Sequence, residues 1–336
     1  MEIRKVQVTG GASYVISLPK RWIRQQKIEK NDPVGVIARA DGTLLLTPNL
    51  MYDNTIRIKE FSLKDYPVPD MLLRSLIGAY ISGFTTIRVT SAGRIPPKVR
   101  QVVRKFTQMT VGQEVAEESD NSIVLKDILN PSELPFENSI RRMYVIVKTM
   151  HEDALYALEQ RRRELAEDIS ARDTDVDRLH WLVHRQFSLV IANPALARRM
   201  EIGPSKAATY YQISQIIERV GDHAVAISEA ALVMIEMQVE QTVVTRMIKA
   251  GEAAINIFNR SIRAIYADSI PEMNAIIEAA EKLRPEYLTL STLTQKMKVK
   301  EAVALTKVAN SLQKIGEYSS DIAEILINQM ISLERK

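Results

Sequence analysis

The chain has 336 residues, 46% of them hydrophobic and 26% charged, which is enough apolar material for a buried core and predicts two to three domains. Aromatics at 6%, 12 glycines and 13 prolines favour helices over a β-sandwich and exclude collagen-like or low-complexity chains. The absence of cysteine excludes a disulfide framework, a thiolate zinc site and a cysteine nucleophile.

The formal net charge of +4 is unevenly placed: residues 1–50 hold eight Lys and Arg against four Asp and Glu, so the whole excess falls there. A basic head on a near-neutral body points to a polyanion partner, against the alternative of a merely solvated face. The longest apolar stretch, around Ala224–Met237, is interrupted by Ser228, Glu229 and Glu236. No transmembrane segment or signal peptide is therefore expected, and the default location is cytoplasmic.

In chain order, Lys5–Val8 and Tyr14–Leu18 read as short strands around the turn Thr9-Gly10-Gly11-Ala12-Ser13. Pro19 opens a short helix over Lys20–Gln26. Val34–Arg39 and Thr43–Thr47 flank Ala40-Asp41-Gly42, an Asp-Gly hairpin signal. A unit this small has hardly any core, and dimerisation is its expected supplement. Residues 51–135 follow as strand (Thr55–Lys59), helix (Asp70–Tyr80), strand (Thr86–Thr90), helix (Pro96–Met109) and two strands near Gln113–Glu118 and Ser122–Ile128. That order predicts a small α+β domain with helices against one sheet. Asn130–Pro135 reads as a linker or helix entry.

From Phe136 onward the chain is helix-compatible, with helices predicted at about 136–169, 173–193, 203–238, 241–268, 271–297 and 299–333 and proline-bearing breaks at Asn193-Pro194, Gly203-Pro204 and Ile270-Pro271. Two segments repeat at an offset of 95 residues: Ile217–Glu229 and Leu312–Glu324 share a glycine followed by an acid, an isoleucine and a final glutamate in register. Each lies on the third helix of its half, which predicts two three-helix bundles in tandem, residues 136–238 and 239–336. Core packing alone could repeat a helix register. A glycine inside a long helix costs about 1 kcal/mol relative to alanine, which packing explains less readily.

Glu218-Arg219-Val220-Gly221-Asp222-His223-Ala224 resembles the E-x-x-x-D signature of the PhoU family of phosphate-signalling proteins, which is built from two three-helix repeats. The segment from Arg4 to Trp22 resembles the SpoVT/AbrB swapped-hairpin DNA-binding domain. The whole layout is similar to archaeal PhoU-like regulators with an AbrB-like head. The resemblance implies a multidomain, mainly α protein: a swapped-hairpin β head over 1–50, the α+β segment over 51–135 and tandem PhoU bundles. It also implies a homodimer or higher oligomer that interleaves strands and presents paired basic loops to DNA, and a phosphate transporter or its signalling components as partners.

Glu218 and Asp222, at i and i+4, point from one helix face and repel by roughly 0.2–0.5 kcal/mol when exposed. A bridging cation reverses that sign, and carboxylate oxygens suit Mg, Mn, Ca or Fe; a solvated acidic face is the plain alternative. The PhoU resemblance implies metal clusters at these carboxylates, so the expected cofactor is a divalent or trivalent ion (Mg, Mn, Fe or Zn). In the second repeat Gln313 stands where Glu218 does and Glu317 where Asp222 does, yet Glu317-x-x-x-Asp321 forms an E-x-x-x-D one turn later. The second motif is either slid by a turn or weakened. Asp173 and Asp177 read as helix-start acids favoured by the macrodipole, which the resemblance makes further candidate ligands.

His180 and His184 are also i and i+4, but Trp181 stands where a zincin motif needs glutamate, so packing or surface histidines are expected. Gly10-Gly11 lacks the ending of a phosphate loop, and no nucleophile arrangement is visible, so an enzyme is not expected. In the head, Arg4, Lys5, Lys20, Arg21 and Arg24 are the candidate DNA contacts, able to pair phosphates or, for arginine, read guanine edges; a head that only dimerises is the alternative. The reading is a phosphate-responsive DNA-binding regulator. The alternative is a DNA-binding transcription regulator whose helical body binds another effector or protein partner.

Overall fold

In the computed structural model, residues 2–38, 42–48, 57–130, 133–237, 239–293 and 297–333 are described. The protein is multidomain and mainly α, and it separates into two compact units, Met1–Thr55 and Ile56–Lys336.

The first unit holds β1 (Gln7–Thr9), β2 (Ser13–Val15), α1 (Lys20–Gln25), β3 (Gly35–Ala38) and β4 (Leu44–Thr47). β1 pairs antiparallel with β2, and β3 with β4. Gly10 and Gly11 turn the first hairpin with φ of 61° and 83°, a left-handed conformation that glycine adopts without steric cost. The Asp-Gly turn of the second hairpin lies largely outside the described residues, as does Arg39. Among the described residues of this unit only Thr47 is buried. Ile3 is 84% exposed, Tyr14 79% and Val8 62%.

In the second unit β5 (Ile58–Ser62), α2 (Pro69–Ile81), β6 (Thr86–Thr90), α3 (Pro97–Met109), β7 (Gln113–Glu118) and β8 (Ser122–Asp127) form a four-stranded sheet of order β5-β6-β8-β7. β5 and β6 are parallel, the other pairs antiparallel, and a bulge interrupts β7 between Val115 and Glu117. Leu72, Leu76 and Tyr80 of α2 and Val99, Val103 and Phe106 of α3 bury against Phe61, Ile87, Val89, Ile123 and Leu125. β5 lies three residues later than the alternation at Thr55–Lys59 predicts, because Phe61 is the residue that reaches this core. Thr55 and Ile56 lie outside the described residues.

The helical body comprises α4 (Phe136–Glu159), α5 (Arg163–Ala192), the short α6 (Pro194–Arg199), α7 (Pro204–Glu236), α8 (Gln241–Arg263), α9 (Ile270–Thr292) and α10 (Val299–Leu333). One continuous core runs from Phe136 through Ile217 and Met247 to Leu326, so the two repeats, α4-α5-α7 and α8-α9-α10, share their interior. The first helix ends ten residues earlier than predicted. Gln160-Arg161-Arg162 carries no helix breaker, but Arg161 takes φ 54° and the Arg162 amide closes on Ala157. The reversal lets Ala166 and Ile169 of α5 turn back towards the buried Ala154, Leu155 and Leu158. The region around Pro194 is not a simple break either, since Asn193 caps α6 through the Leu196 amide at 3.0 Å.

α5 joins the sheet domain to the helical body. Arg185, 2% exposed, ion-pairs with Asp127, 4% exposed, at the end of β8. It also donates to the carbonyls of Tyr80 and, at 3.2 Å, Phe84. On the same stripe Trp181 packs against the sheet core and Leu189 meets Gly83, where a Cβ would sit 2.6 Å from Leu189 Cδ2. That contact and a φ of 82° both require glycine at position 83. Removing one partner of such a buried pair leaves an uncompensated charge. Arg185→Met is therefore expected to cost about 3–5 kcal/mol in urea denaturation, and Arg185→Met with Asp127→Leu markedly less. Equal losses in the two variants would show that the pair is not coupled.

Candidate functional site

The Glu218-x-x-x-Asp222 pair sits mid-way along α7, where Val220 and Ala224 face the core. Asp173 and Asp177 of α5 come to the same place. They lie mid-helix, ten and fourteen residues after Arg163, so the macrodipole explanation for them does not hold. Gly221 brings α5 and α7 together: a Cβ there would meet Asp173 Oδ1 at 3.2 Å and Val147 Cγ2 at 3.3 Å. This close approach is the packing reason for a glycine in the helix interior.

The four carboxylates act on one another. Glu218 is pushed up to about 7, first by burial and then by the charges of Asp222, Asp177 and Asp173. Asp173 rises to about 6 by burial, Asp177 and Asp222, and Asp177 to about 6 by burial and Asp222. Asp222 also rises by burial, opposed by His223 and Arg219. Asp173 Oδ1 is buried without a hydrogen-bond partner. A buried carboxylate oxygen with nothing to accept from, among like charges, fits a hard cation. Among the described residues no three His, Asp or Glu side chains are already gathered as a ligand set.

The second repeat is built differently. Gly316 faces Ala280 and Tyr287 of α9, not acids. Glu317 accepts from Lys314 Nζ at 2.6 Å and Gln313 Nε2 at 2.8 Å, and Lys314 holds its carboxyl below the usual range. The partly buried carboxyl of Asp321 is raised first by desolvation and then by the charges of Glu324 and Glu317. Glu317 and Asp321 thus lie in one neighbourhood, with a lysine already neutralising the first and no acid facing the repeat's glycine.

Sequence reasoning missed His151. It is buried on α4 with Nε2–H donating to the Val220 carbonyl at 2.8 Å, and burial pushes it down to about 4. It ties α4 to α7 between the two acids of the motif. A lone histidine on an apolar helical face was the available signal. His180 and His184 pack: His184 lies 4.3 Å from the Tyr211 ring centre, and His180 Nδ1 is 3.1 Å from Ser214 Oγ.

In the head, Lys20, Arg21 and Arg24 are exposed on α1, and Lys5 is exposed ahead of β1. Arg4 is exposed and paired with Glu2 at 2.5 Å. α1 begins after Pro19 and buries no residue.

Two three-helix repeats around one core, with carboxylates on the third helix of the first, define a tandem helical-bundle protein of the PhoU-domain class. The PhoU domain model matches residues 140–231 and 247–326, and the chain belongs to the PhoU family. Residues 7–50 match the model for antidote-toxin recognition MazE, bacterial antitoxin, which supports an AbrB-like head. A Caulobacter vibrioides protein, a phosphate-specific transport system accessory protein PhoU homolog, is 24% identical over 193 residues, 56% of this chain and 83% of the relative. PhoU from Pseudomonas aeruginosa superposes with a TM-score of 0.53 at 16% identity, over 59% of this chain and 96% of that one. The phosphate transport system regulatory protein PhoU from Streptococcus pneumoniae gives 0.52 at 18% identity, over 58% and 92%. These structures share the fold.

The acidic cluster has a signature in pH. A carboxyl raised on folding binds more protons folded than unfolded, so its contribution to stability falls as pH rises through the raised value. For chelator-treated protein this loss runs between about pH 4 and pH 7, from the ordinary values of 3.8 and 4.5 to about 6 and 7. His151 and His180, pushed down to about 4, work in the opposite sense, so the informative quantity is a difference. Glu218→Gln should gain stability over the parent as pH rises from about 5 to about 7.5, read from urea midpoints. A pH-independent difference would mean that Glu218 does not titrate with the cluster.

Proposed function

We propose that this chain is a phosphate-responsive regulator that binds operator DNA through a dimerised head and holds a hard cation on its first PhoU repeat. The observation that carries the reading is the joining, in one chain, of a PhoU body to a head with a basic helix and, among its described residues, no buried apolar side chain. A head whose Ile3, Val8 and Tyr14 stand in solvent completes its core by taking up strands of a second copy. The pair doubles every basic contact, and Lys20, Arg21 and Arg24, with Arg4 and Lys5, meet the phosphates and base edges.

In the body, Glu218, Asp222, Asp173 and Asp177 hold the cation, a divalent or trivalent Mg, Mn, Fe or Zn ion. A bound cation offsets carboxylate repulsion and offers a phosphate oxygen a positive partner. Glu317 and Asp321 form a weaker second station. The relative's name supplies one partner class, a phosphate-specific transport system. Signalling components of that system and action in the cytoplasm complete the reading. No helix among the described residues is long and apolar enough to cross a membrane.

Titration of labelled promoter DNA with full-length protein, with and without phosphate, tests the regulator. A phosphate-dependent shift in affinity is expected, and identical curves would remove phosphate from the reading. For the metal, Glu218→Ala with Asp222→Ala should lower the content found by elemental analysis after gentle purification. Equal content in variant and parent, or none in either, overturns the site; retention of half assigns metal to Glu317 and Asp321. Sedimentation should show at least a dimer for the full chain and weakened association for residues 51–336. A truncated body that associates as tightly as the whole would take dimerisation away from the head.

A further inference from the structure

Between Met71 and Gln113 the chain carries seven Lys or Arg and no Asp or Glu. The acids of the sheet domain's far side are gathered on β7 and its turn, where Glu118 pairs with Arg100, Asp120 with Arg94 and Glu117 with Lys126. Those pairs leave Lys98, Arg104 and Lys105 of α3 with no ion-pair partner among the described residues. All three are exposed, together with Gln101 and Gln108. Positions 98, 101, 105 and 108 follow a helical stripe about 15 Å long at 1.5 Å per residue, and Arg104 borders it. This length matches about four base steps at 3.4 Å each along one DNA strand.

The opposite face of α3 settles the kind of polyanion. Val99, Val102, Val103 and Phe106 are buried in the core of the sheet domain. A helix that lies in a membrane interface needs its apolar face free for lipid, and α3 has none to offer. What it presents is cations interleaved with amide donors, the residue types that grip a phosphodiester backbone without reading sequence. We propose that the outer face of α3 is a second nucleic-acid surface of this protein, contacting the phosphates of duplex DNA. The inference rests on the DNA-binding reading of the head and assigns to the sheet domain the sequence-independent part of the binding.

The test uses the full chain and fluorescence anisotropy on two labelled duplexes, one carrying a sequence the parent prefers and one unrelated. Lys98→Gln with Arg104→Gln and Lys105→Gln should lower the slope of log affinity against log salt by about 2.7 per chain, at 0.9 per lost phosphate contact, on both duplexes. Equivalently, the parent's loss of affinity between 50 and 200 mM salt should shrink by about 40-fold per chain. Lys98→Arg with Arg104→Lys and Lys105→Arg keeps the charges and should keep the parent slope. Lys20→Ala with Arg21→Ala should also lower the slope, by about 1.8 per chain, and should in addition erase most of the preference between the duplexes. An unchanged slope in the glutamine variant, with preference lost in the head variant, overturns the α3 surface and leaves the head reading standing. A lowered slope in the glutamine variant with preference intact in the head variant supports α3 and overturns the head residues. A parent that binds neither duplex at low salt overturns both. Capture of the parent, but not the glutamine variant, by phosphatidylserine vesicles without any effect on DNA would reassign the surface to a membrane and overturn the proposal.

Discussion

The Arg185–Asp127 pair is the contact on which the arrangement of the second unit depends. A guanidinium this deeply buried is stable only when its donors are used, and here they reach a carboxylate and two backbone carbonyls. All these acceptors belong to the sheet domain, so α5 is held against it in one register. The neighbouring stripe of α5, from Asp173 and Asp177 to His180 and His184, is then committed to α7. One helix thus serves the domain junction with one stripe and the acidic cluster with the next. A shift of α5 along its axis could not satisfy both.

The two repeats share a core but not a chemistry. Around Gly221, α5 contributes Asp173 to a cluster whose members raise one another's proton affinity. Around Gly316, α9 contributes Ala280 and Tyr287, and the acid that follows the glycine is neutralised by Lys314. Gly221 serves the close approach of the second and third helices, whereas at Gly316 a Cβ would reach Tyr287 only at 3.7 Å, an ordinary contact. The close approach and the electrostatic load it brings together thus belong to the first repeat. An unpartnered buried carboxylate oxygen is costly in a structural position, and the first repeat keeps one.

The head shows the opposite economy. Its two hairpins and short helix place apolar side chains in solvent and bury a single threonine among the described residues. Hairpins of three and four residues per strand cannot enclose a core by themselves. Their apolar side chains and the basic residues of α1 are exposed together on this one small unit.

Much of this was legible in the amino-acid sequence. Period-two and helical spacing located the strands and helices, prolines marked the breaks at 194 and 204, and the recurrence of glycine-plus-acid at an offset of 95 residues showed a doubled helical unit. Those signals are local or repeated, so they survive without a fold. Other features were decided by tertiary structure. The turn at Arg161 has no breaker residue and forms because α4 and α5 must pack antiparallel. Asp173 and Asp177 looked like helix-start acids until α5 proved to begin at Arg163, and their partners on α7 stand about 45 residues away in the chain. Arg185 and Asp127 carry no motif at all. Spacing along a chain reports which residues share a face of one element. Which faces meet, and so which charges are buried together or neutralised, follows from long-range packing that local periodicity does not encode.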